Sequence, residues 1–565
     1  MMTFRRRRKI LAIGIFGLVF LLFAICIKKW GIFGEDAALL LKVSKNRTTK
    51  GLFSYFFDAN VRKISYLVSA NTDTSFFEKE SFFHALYRPL SLVFTTIEYM
   101  LFGPKAYHFF LVSIFLHAVN CTLLLWNLSY CVSLFVAVGS TIFFAFHPTL
   151  HDWIGKVDMQ QCLLNTTLLL LVFFFIKKYL DSKNNIFEYL AWAVFGMSLG
   201  VRETGLVLPF VLFFGYPVYS KYIGLTFKGW LRLILGFFSV DFIYFLLRAY
   251  MHPIDFTEFF CPSSMNLLSF LWSRVLNRWQ ELKFFSYDVL GFFNYDFVSF
   301  FGFPCDCSLH DNYPRIIIMS LFLGLLIFKF IKSPQKRMIC FLLLTMLIFS
   351  WPCLLYYTQR FFYEASIFYI AALALLVEFS PARFVIVSIL EKIIGCILIC
   401  ACMFYVLSKV NARAEFYAEL DNSVKQLKRD HGQLAYYPLG FVNFSAVGGP
   451  GVAHAVKLEF GGNQPVYDFG NIMIGPRNAE LVSDLKVFLL EKGFRFKSLC
   501  RSKLWFTCYI CTEENPHSQG DIVINDKDSN GRVFDFSLFL PEKYFDKSLK
   551  FISWDCKNRR LLVLN

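Results

Sequence analysis

The stretch "RRRRKILAIGIFGLVFLLFAICIKKW", residues 5–30, decides the class of fold. A charged start is followed by an apolar run of about 18 residues, close to the length that spans the hydrocarbon core of a bilayer. A secretory signal peptide has a shorter apolar region and a small-residue cleavage site. This run ends instead in Lys28, Lys29 and Trp30, which are typical of an interfacial anchor. We therefore predict a retained transmembrane helix.

The composition places the whole chain in a membrane. Of its 565 residues, 56% are hydrophobic and 17% are charged, whereas a soluble domain is roughly 25% charged. The formal net charge of +16 would suit a nucleic-acid partner. However, the basic residues lie at the start of the chain and in short runs between apolar stretches, where they mark the cytoplasmic side. We expect the lipid bilayer as a partner and no nucleic acid.

Apolar windows predict about eleven transmembrane helices. The windows are 9–27, 106–126, 131–147, 160–176, 187–203, 205–220, 229–249, 314–331, 337–356, 364–379 and 387–408. With the N-terminus inside, the inner loops include "KKYLDSKNN" (177–185) and "KFIKSPQKR" (329–337). Because basic residues concentrate on the cytoplasmic side, this orientation is the favoured one. The fold class is a polytopic α-helical membrane protein.

The same topology places three stretches outside the membrane. Residues 28–105 form a first outer loop, and 250–313 form an outer interfacial loop with an amphipathic pattern. The tail, 410–565, has ordinary charge content and is predicted to be a small soluble α/β domain. Within it, "RLLVLN" (560–565) and "KLWFTCYI" (503–510) predict strands, and "AELVSDLKVFLLEKG" (479–493) predicts a helix that Gly493 ends.

Ionisable residues collect at the outer ends of the predicted helices. Such groups are costly near a membrane and tend to mark function. Their convergence at one membrane level predicts a site rather than scattered loop charge. His117, within a predicted helix, is instead expected to pack through a hydrogen bond to a neighbouring helix. The candidate site residues are Glu35, Asp36, His84, Arg88, Lys156, Asp158, Arg202, Glu203, Arg360 and Tyr363.

Four stretches together resemble a known family. They are "YRPLSLVFTTIEYMLFGPKAYHFFLVSIFLHAVNCTLLL" (87–125), "FFAFHPTLHDWIGKVDMQQCLLNTTLLLL" (143–171), "SLGVRETGLVLPFVLFF" (198–214) and "QRFFYEASIFYI" (359–370). Their order and spacing resemble the multispanning glycosyltransferases of the C-type fold, in particular the protein O-mannosyltransferases and bacterial transferases that use polyprenyl-phosphate sugars. The similarity covers roughly residues 30–380.

The resemblance implies an enzyme that moves a sugar from a polyprenyl-phosphate carrier to an acceptor outside the membrane, with inversion. The acceptor is a protein or a glycolipid. In this family an acid in the first outer loop acts as the general base, which by position is Asp36, with Glu35 as the adjacent alternative. Relatives often carry D-D or D-E there, whereas this chain has E-D. Asp158 matches the family's second acid, and Lys156 stands where relatives often have arginine.

The chemistry of the residues agrees with that assignment. A positioned carboxylate makes a hydroxyl a better nucleophile, typically by 10²–10⁴-fold. The leaving phosphate is anionic, and arginine binds phosphate through paired hydrogen bonds. Arg88, Arg202 and Arg360 are the candidates for that role, with Lys156 and His84 behind them. Glu203 and Tyr363 complete the predicted substrate-binding set. The reaction does not require a divalent cation, which remains an open alternative.

Other interpretations stay open at this point. Glu35 and Asp36 also suit a solvated helix exit, and Arg202–Glu203 also suits an ion pair between helices. A transporter or flippase of lipid-linked sugars would share the helices and basic loops, but should place ionisable groups near the midplane of the membrane. A catalytically decayed relative is a further alternative. A bacterial inner membrane is favoured over the endoplasmic reticulum.

"CDC" (305–307) and "CYIC" (508–511) are read as local disulfides or strand sequence, because a metal site needs more ligands.

Overall fold

The computed structural model describes the chain in segments. They are residues 2–27, 39–40, 43–44, 48–57, 88–103, 105–148, 154, 156–157, 159–223, 227–251, 324, 326–350, 362–379, 385–436, 439–441, 459, 466–468, 485–498, 521–527, 533–539, 547–548, 550–555 and 560–564. Both "CDC" and "CYIC", the strand predicted at 503–510 and the interfacial loop at 252–313 lie outside these residues.

The membrane part of the described chain is helical. In chain order its helices are α1 (Met2–Cys26), α2 (Thr49–Phe57), α3 (Pro89–Phe102), α4 (Ala106–Leu128), α5 (Leu134–Ala145), α6 (Gln160–Ser182), α7 (Asn185–Val201), α8 (Leu208–Ile223), α9 (Phe227–Met251), α10 (Lys336–Phe349), α11 (Phe362–Glu378) and α12 (Val385–Asp430). A 3-10 turn, Glu203–Val207, joins α7 to α8. Each predicted window except 314–331 coincides with one of these helices over at least part of its length, and within 314–331 the described residues 326–331 are helical.

Several of these helices can cross a membrane. Within the described residues, five segments are long and apolar enough to do so, namely Arg6–Cys26, Ala106–Leu128, Gln160–Ser182, Phe227–Tyr250 and Lys392–Asp430. The chain is therefore a multi-pass integral membrane protein. The orientation of its N-terminus stays a prediction.

Helices α4 and α6 form the centre of the bundle. More than half of the apolar window of each is buried, 61% for α4 and 56% for α6, compared with 22% for the N-terminal segment Arg6–Cys26. Helix α4 packs against α1, α5 and α6, while α6 also packs against α7 and α11. More than half of the side chains on these two central helices therefore face protein, and the polar groups among them must find protein partners.

The last helix is much longer than the predicted window. It runs to Asp430, and its 46 residues extend roughly 69 Å, against a hydrocarbon core of about 30 Å. Beyond the apolar part, Leu420, Val424 and Leu427 are buried, and this end of the helix packs on the last strand of the chain. The predicted tail unit thus begins with a continuation of a membrane helix.

Described strands of the tail form two four-stranded sheets. The strands are β1 (Leu439–Phe441), β2 (Val466–Asp468), β3 (Leu485–Leu489), β4 (Gly493–Ser498), β5 (Asp521–Lys527), β6 (Val533–Phe539), β7 (Lys550–Asp555) and β8 (Arg560–Leu564). One sheet is mixed, in the order β2-β1-β7-β8, and the other is antiparallel, in the order β3-β4-β6-β5. Phe494 and Phe496 pack edge-on against Phe551 and join the two.

One predicted element in the tail is wrong. Residues 485–489, within the predicted helix, form β3, and Gly493 begins β4 rather than ending a helix. Leu485 to Leu489 pair antiparallel with Ser498 to Phe494. The ladder satisfies the backbone of "LKVFL", and this tertiary pairing outweighs the local helical pattern. The strand predicted at 560–565 is confirmed as β8.

Candidate functional site

Arg88 stands at the start of α3, where Pro89 is the first helical residue. Proline is favoured there because the missing N–H would be unpaired in any case. Helix α3 lies very close to the end of α7, since a Cβ added to Gly200 would come within 2.8 Å of Leu90 Cδ1. Only glycine at position 200 permits this approach without a shift, and the approach brings Arg88 beside the residues that follow α7.

Two partners fix the guanidinium of Arg88. Its Nε donates to Glu203 Oε2 at 2.7 Å, and its Nη1 donates to Gln161 Oε1 at 3.0 Å. The side chain of Arg88 is 20% exposed and that of Glu203 is 9% exposed. Among the described residues, Arg88 Nη2 has no protein acceptor. An arginine held at two nitrogens and open at the third is suited to receive an oxyanion without further ordering.

A second, fully buried cluster lies beside this arginine. Arg202 Nη1 donates to Glu364 Oε1 at 3.0 Å. Asn165 Nδ2 donates to the same Glu364 oxygen at 3.0 Å and to Thr204 Oγ1 at 2.9 Å. Arg202 is 2% exposed and Glu364 is 0% exposed. This cluster joins α6, α11 and the 3-10 turn.

Arg202 and Glu203 therefore do not pair with each other. Arg202 points inward to Glu364, and Glu203 points to Arg88. The backbone of Arg202 is extended, with φ −161° and ψ 138°, and successive side chains of extended backbone point to opposite sides. The alternative drawn from the sequence was an ion pair formed by Arg202 and Glu203. Each of the two residues does form an ion pair, but Arg202 pairs with Glu364 and Glu203 pairs with Arg88. A substrate has no open surface of Arg202 to contact in this arrangement.

Lys156 and Arg88 lie near the same helix end. Lys156 is half-buried and precedes Gln160, the first residue of α6, while Arg88 contacts Gln161. The N-terminus of a helix carries partial positive charge and favours anions. The described part of the site thus presents an open arginine, a lysine and a helix N-terminus on one side of the bundle.

Tyr363 lies in a separate polar network. It is fully buried, with its hydroxyl 2.7 Å from His117 Nδ1 and 3.2 Å from Asn120 Nδ2. His117 Nε2 lies 3.1 Å from the carbonyl of Ala145. Since a carbonyl only accepts, Nε2 carries the proton and Nδ1 accepts from Tyr363. The prediction that His117 packs through a hydrogen bond to a neighbouring helix is confirmed. The predicted substrate contact of Tyr363 is not favoured, because its hydroxyl faces these two side chains.

Five predicted site residues lie outside the described residues. They are Glu35, Asp36, His84, Asp158 and Arg360. Their roles stay predictions, and so does the possible divalent cation. Within the described residues, no group of three or more His, Cys, Asp or Glu side chains is placed to hold a metal ion.

Sequence reasoning missed three residues of the site, Gln161, Asn165 and Glu364. Glu364 had a signal: an acid inside the apolar run "FFYEASIFYI" (361–370) must be paired or functional. Gln161 and Asn165 are uncharged, and nothing in the sequence links them to Arg88 or Arg202. Their partners lie 73 and 199 positions away for the bonds to Arg88 and Glu364.

Comparison with known proteins gives matches in structure alone. No family model matches the chain, and no curated protein matches it in sequence. The fold is similar to ArnT from Cupriavidus metallidurans bound to undecaprenyl phosphate, with 12% identity and a TM-score of 0.43, over 82% of this chain and 86% of ArnT.

The fold is also similar to the oligosaccharyltransferase of Archaeoglobus fulgidus. One structure, a complex with Zn and sulfate, has 13% identity and a TM-score of 0.43. Another, archaeal AglB with an inhibitory peptide and a dolichol-phosphate, has 11% identity and a TM-score of 0.39. This chain spans 62% and 64% of the length of those two chains.

Proposed function

We propose that the protein is a membrane glycosyltransferase that takes a sugar from a polyprenyl-phosphate carrier. The sugar passes to a protein or glycolipid acceptor at the outer membrane face, with inversion at the anomeric carbon. The proposal combines the order of the four sequence motifs with the geometry around Arg88. It needs an anion site at the edge of the membrane, because the carrier lipid tethers the donor phosphate there.

The observation that carries the proposal is the half-satisfied guanidinium of Arg88. Glu203 and Gln161 hold Nε and Nη1, and Nη2 has no acceptor in the described part of the chain. Arg88 is only 20% exposed, and a donor without an acceptor at such a position costs free energy. Here one edge is fixed and the other is left open beside the N-terminus of α6, where an anion is favoured.

In the proposed reaction Asp36 removes the proton of an acceptor hydroxyl, and the resulting oxygen attacks the anomeric carbon of the donor sugar. The bond between that carbon and the phosphate oxygen breaks, and both electrons leave with the polyprenyl phosphate. Arg88, together with Arg360 and Lys156, stabilises the negative charge on the departing phosphate. Glu35 is the alternative base, because it is adjacent to Asp36.

Glu203 has a different proposed role from the one that its sequence position indicated. Its carboxylate holds Arg88 Nε, and its other oxygen, Oε1, is buried with no partner among the described residues. A carboxylate in this position would repel a phosphate. We therefore place Glu203 behind Arg88 as its support, and Arg202 behind Glu203.

The test compares glycolipids and envelope proteins by mass spectrometry. Cells lacking the gene are complemented with the wild type, with Asp36→Asn or with Asp181→Asn. Asp181 is a matched control, since it is an exposed acid paired with Lys177 in the segment 177–185, which is predicted to lie on the inner side. We expect one sugar increment to disappear in the deletion and to fall by roughly 10²–10⁴-fold in Asp36→Asn, with Asp181→Asn like the wild type.

Two outcomes would contradict parts of the proposal. If the deletion loses the increment while Asp36→Asn keeps it, Asp36 is a solvated helix exit, and the base must be sought at Glu35 or Asp158. If the deletion accumulates donor on the wrong side of the membrane without losing transferase activity in lysed cells, the protein is a flippase.

A further inference from the structure

We infer that the start of α1 binds an anionic phospholipid on the side of the helix that faces away from the bundle. The phosphate of the headgroup lies on three cations, and one acyl chain lies along the apolar stripe that follows them on the same side. The inference does not depend on the proposed sugar transfer. The three cations, here called the α1 cations, are Arg6, Arg7 and Lys9. The α1 stripe comprises Ile10, Ile13, Gly17 and Leu21.

Helix α1 has one side that packs on protein and one side that does not. Ile15 and Val19 are buried in the core of the bundle. Ile13 and Leu21, in contrast, are 73% and 61% exposed, and a Cβ added to Gly17 would meet no atom within 4 Å. With 3.6 residues per turn, these three positions lie on the side opposite to the buried pair. The open side of α1 is therefore available to lipid.

The basic residues at the start of α1 are divided between the same two sides. Arg8 lies on the side of the bundle, where its Nη2 donates to the carbonyl of Ser129 at 2.7 Å. Its guanidinium also lies over the ring of Tyr130, 4.8 Å from the ring centroid. The α1 cations are instead exposed, and the helical period places them on the same side as the α1 stripe. Only part of the basic run is therefore used to hold α1 in the bundle.

The surroundings of the α1 cations add positive charge and offer little negative charge. Lys177 of α6 lies over the ring of Tyr130 as well, with Nζ 5.2 Å from the centroid, so that the ends of α1 and α6 meet at this ring. Residues 2–27 contain no acid, and the nearby Asp181 is already paired with Lys177. Cations gathered at the edge of a membrane attract the anionic headgroups of lipids. Charge complementarity thus favours a negatively charged occupant.

The α1 stripe has the length of one acyl chain. From Ile10 to Leu21 the helix rises about 17 Å, close to half of a hydrocarbon core of about 30 Å. The α1 cations precede the stripe, where Arg6 begins the segment that can span the membrane. A phospholipid matches the cations and the stripe together, whereas a soluble phosphate matches the cations alone. A second copy of the chain would bring an equally basic cluster to this side, and like charges repel.

The experiment titrates two lipids onto the detergent-solubilised full chain by native mass spectrometry, with the melting temperature measured in parallel. Dioleoyl phosphatidylglycerol and dioleoyl phosphatidylcholine have the same acyl chains and differ in the charge of the headgroup. Arg5, Arg8 and Lys177 stay in place, so that the basic signal for the orientation of α1 is kept. The α1 variant is Arg6→Gln/Arg7→Gln/Lys9→Gln. The control variant removes three exposed cations of the tail, as Lys486→Gln/Lys492→Gln/Lys497→Gln.

We expect the wild type and the control variant to bind phosphatidylglycerol at least tenfold more tightly than phosphatidylcholine. The α1 variant should lose this preference, because each cation near a membrane surface contributes roughly fivefold to the affinity for an anionic lipid. The preference should also fall as the salt concentration is raised, since exposed charges are screened. If the α1 variant melts at a lower temperature than the wild type, Arg7→Gln alone, with an expected loss of roughly fivefold, gives the same test.

Several results would overturn the inference. Equal binding of the two lipids by the wild type would show that no site for an anionic headgroup exists. An α1 variant that keeps the preference would place the site elsewhere, and a control variant that loses it would trace the preference to net charge. If glycerol phosphate, which lacks acyl chains, displaces phosphatidylglycerol at equal concentration, the ligand is a free phosphate. A dimer that the α1 variant alone loses would show that a second copy of the chain occupies this side.

Discussion

Two arginine–glutamate pairs lie at the two ends of α7 and use their hydrogen bonds differently. At the start of the helix, Arg232 donates to both oxygens of Glu188 at 3.1 and 2.6 Å, and also to Tyr179 and Asn185. At the other end, the partners of Arg88 within the described part of the chain are Glu203 and Gln161. Both oxygens of Glu188 are bonded, whereas Glu203 Oε1 has no partner among the described residues. Each arginine has one nitrogen without a described acceptor, Nη1 in Arg232 and Nη2 in Arg88.

Exposure makes the contrast sharper. Arg232 is 53% exposed, so that water can reach its Nη1, while Arg88 is only 20% exposed around its Nη2. Water satisfies an exposed arginine at little cost, whereas a largely buried N–H donor without an acceptor costs free energy. The Arg232 pair joins α7 to α9, and we propose that Arg88 is kept for a ligand.

Removal of each arginine gives the largest expected contrast. Arg88→Met and Arg232→Met both leave a buried glutamate without its partner, so each should lower the free energy of unfolding by about 1–3 kcal/mol. Only Arg88→Met should also lower sugar transfer by the folded protein, by roughly 10–100-fold, because one charge-assisted contact to the leaving phosphate is lost. Transfer rates per folded molecule and thermal unfolding of both variants check this.

The proposed difference between Arg88 and Arg232 would be wrong if the two variants lost transfer activity to the same extent. Equal losses would mean that Arg88, like Arg232, acts through the stability of the bundle. A loss confined to Arg232→Met would reverse the assignment and place the site at the other end of α7.

The polar network of Tyr363 gives a second comparison, with a smaller expected effect than the arginine variants. Tyr363→Phe removes the hydroxyl that links His117 to Asn120. Because it leaves buried polar atoms without a partner, the free energy of unfolding should fall by about 1–3 kcal/mol. Transfer per folded molecule should stay at the wild-type level, as Tyr363 faces this network. A selective rise in the donor KM of Tyr363→Phe, at unchanged stability, would instead restore it as a substrate contact.

A third arginine–carboxylate pair, in the tail, extends the comparison to pH. Burial raises the pKa of Asp535, but hydrogen bonds from Arg495 and Asn525 outweigh it and hold the pKa below its ordinary value. The contribution of Asp535 to stability is therefore present above its unfolded pKa of about 3.9 and is lost as the pH falls through the lower folded value.

The expected effect is small and confined to acid. Unfolding of the tail, followed by hydrogen exchange of β4 to β6 in the full chain, should become easier below about pH 4. Asp535→Asn should flatten that dependence. If unfolding of the tail depended on acid pH in Asp535→Asn as it does in the wild type, other carboxylates would be the cause of that dependence.

Much of the membrane fold could be predicted from apolar run length. Windows such as 106–126 and 160–176 became α4 and α6, because an apolar run in lipid satisfies its backbone only as a helix. The tail was harder. "LKVFL" (485–489) suits a helix or a strand, and only pairing with β4 made it β3. The end of α12 was also missed, since a helix continues past the membrane without any apolar signal.

The candidate site, like the fold, could be predicted from the sequence only in part. The sequence alone determined that ionisable residues such as Arg88, Arg202 and Glu203 gather at helix ends, since charge is excluded from the lipid core. Only the tertiary structure decided that Arg202 turns inward to Glu364 and that Arg88 Nη2 has no acceptor in the described part of the chain. Those partners come from helices far apart in the chain, and the direction of a side chain depends on which of them is packed beside it.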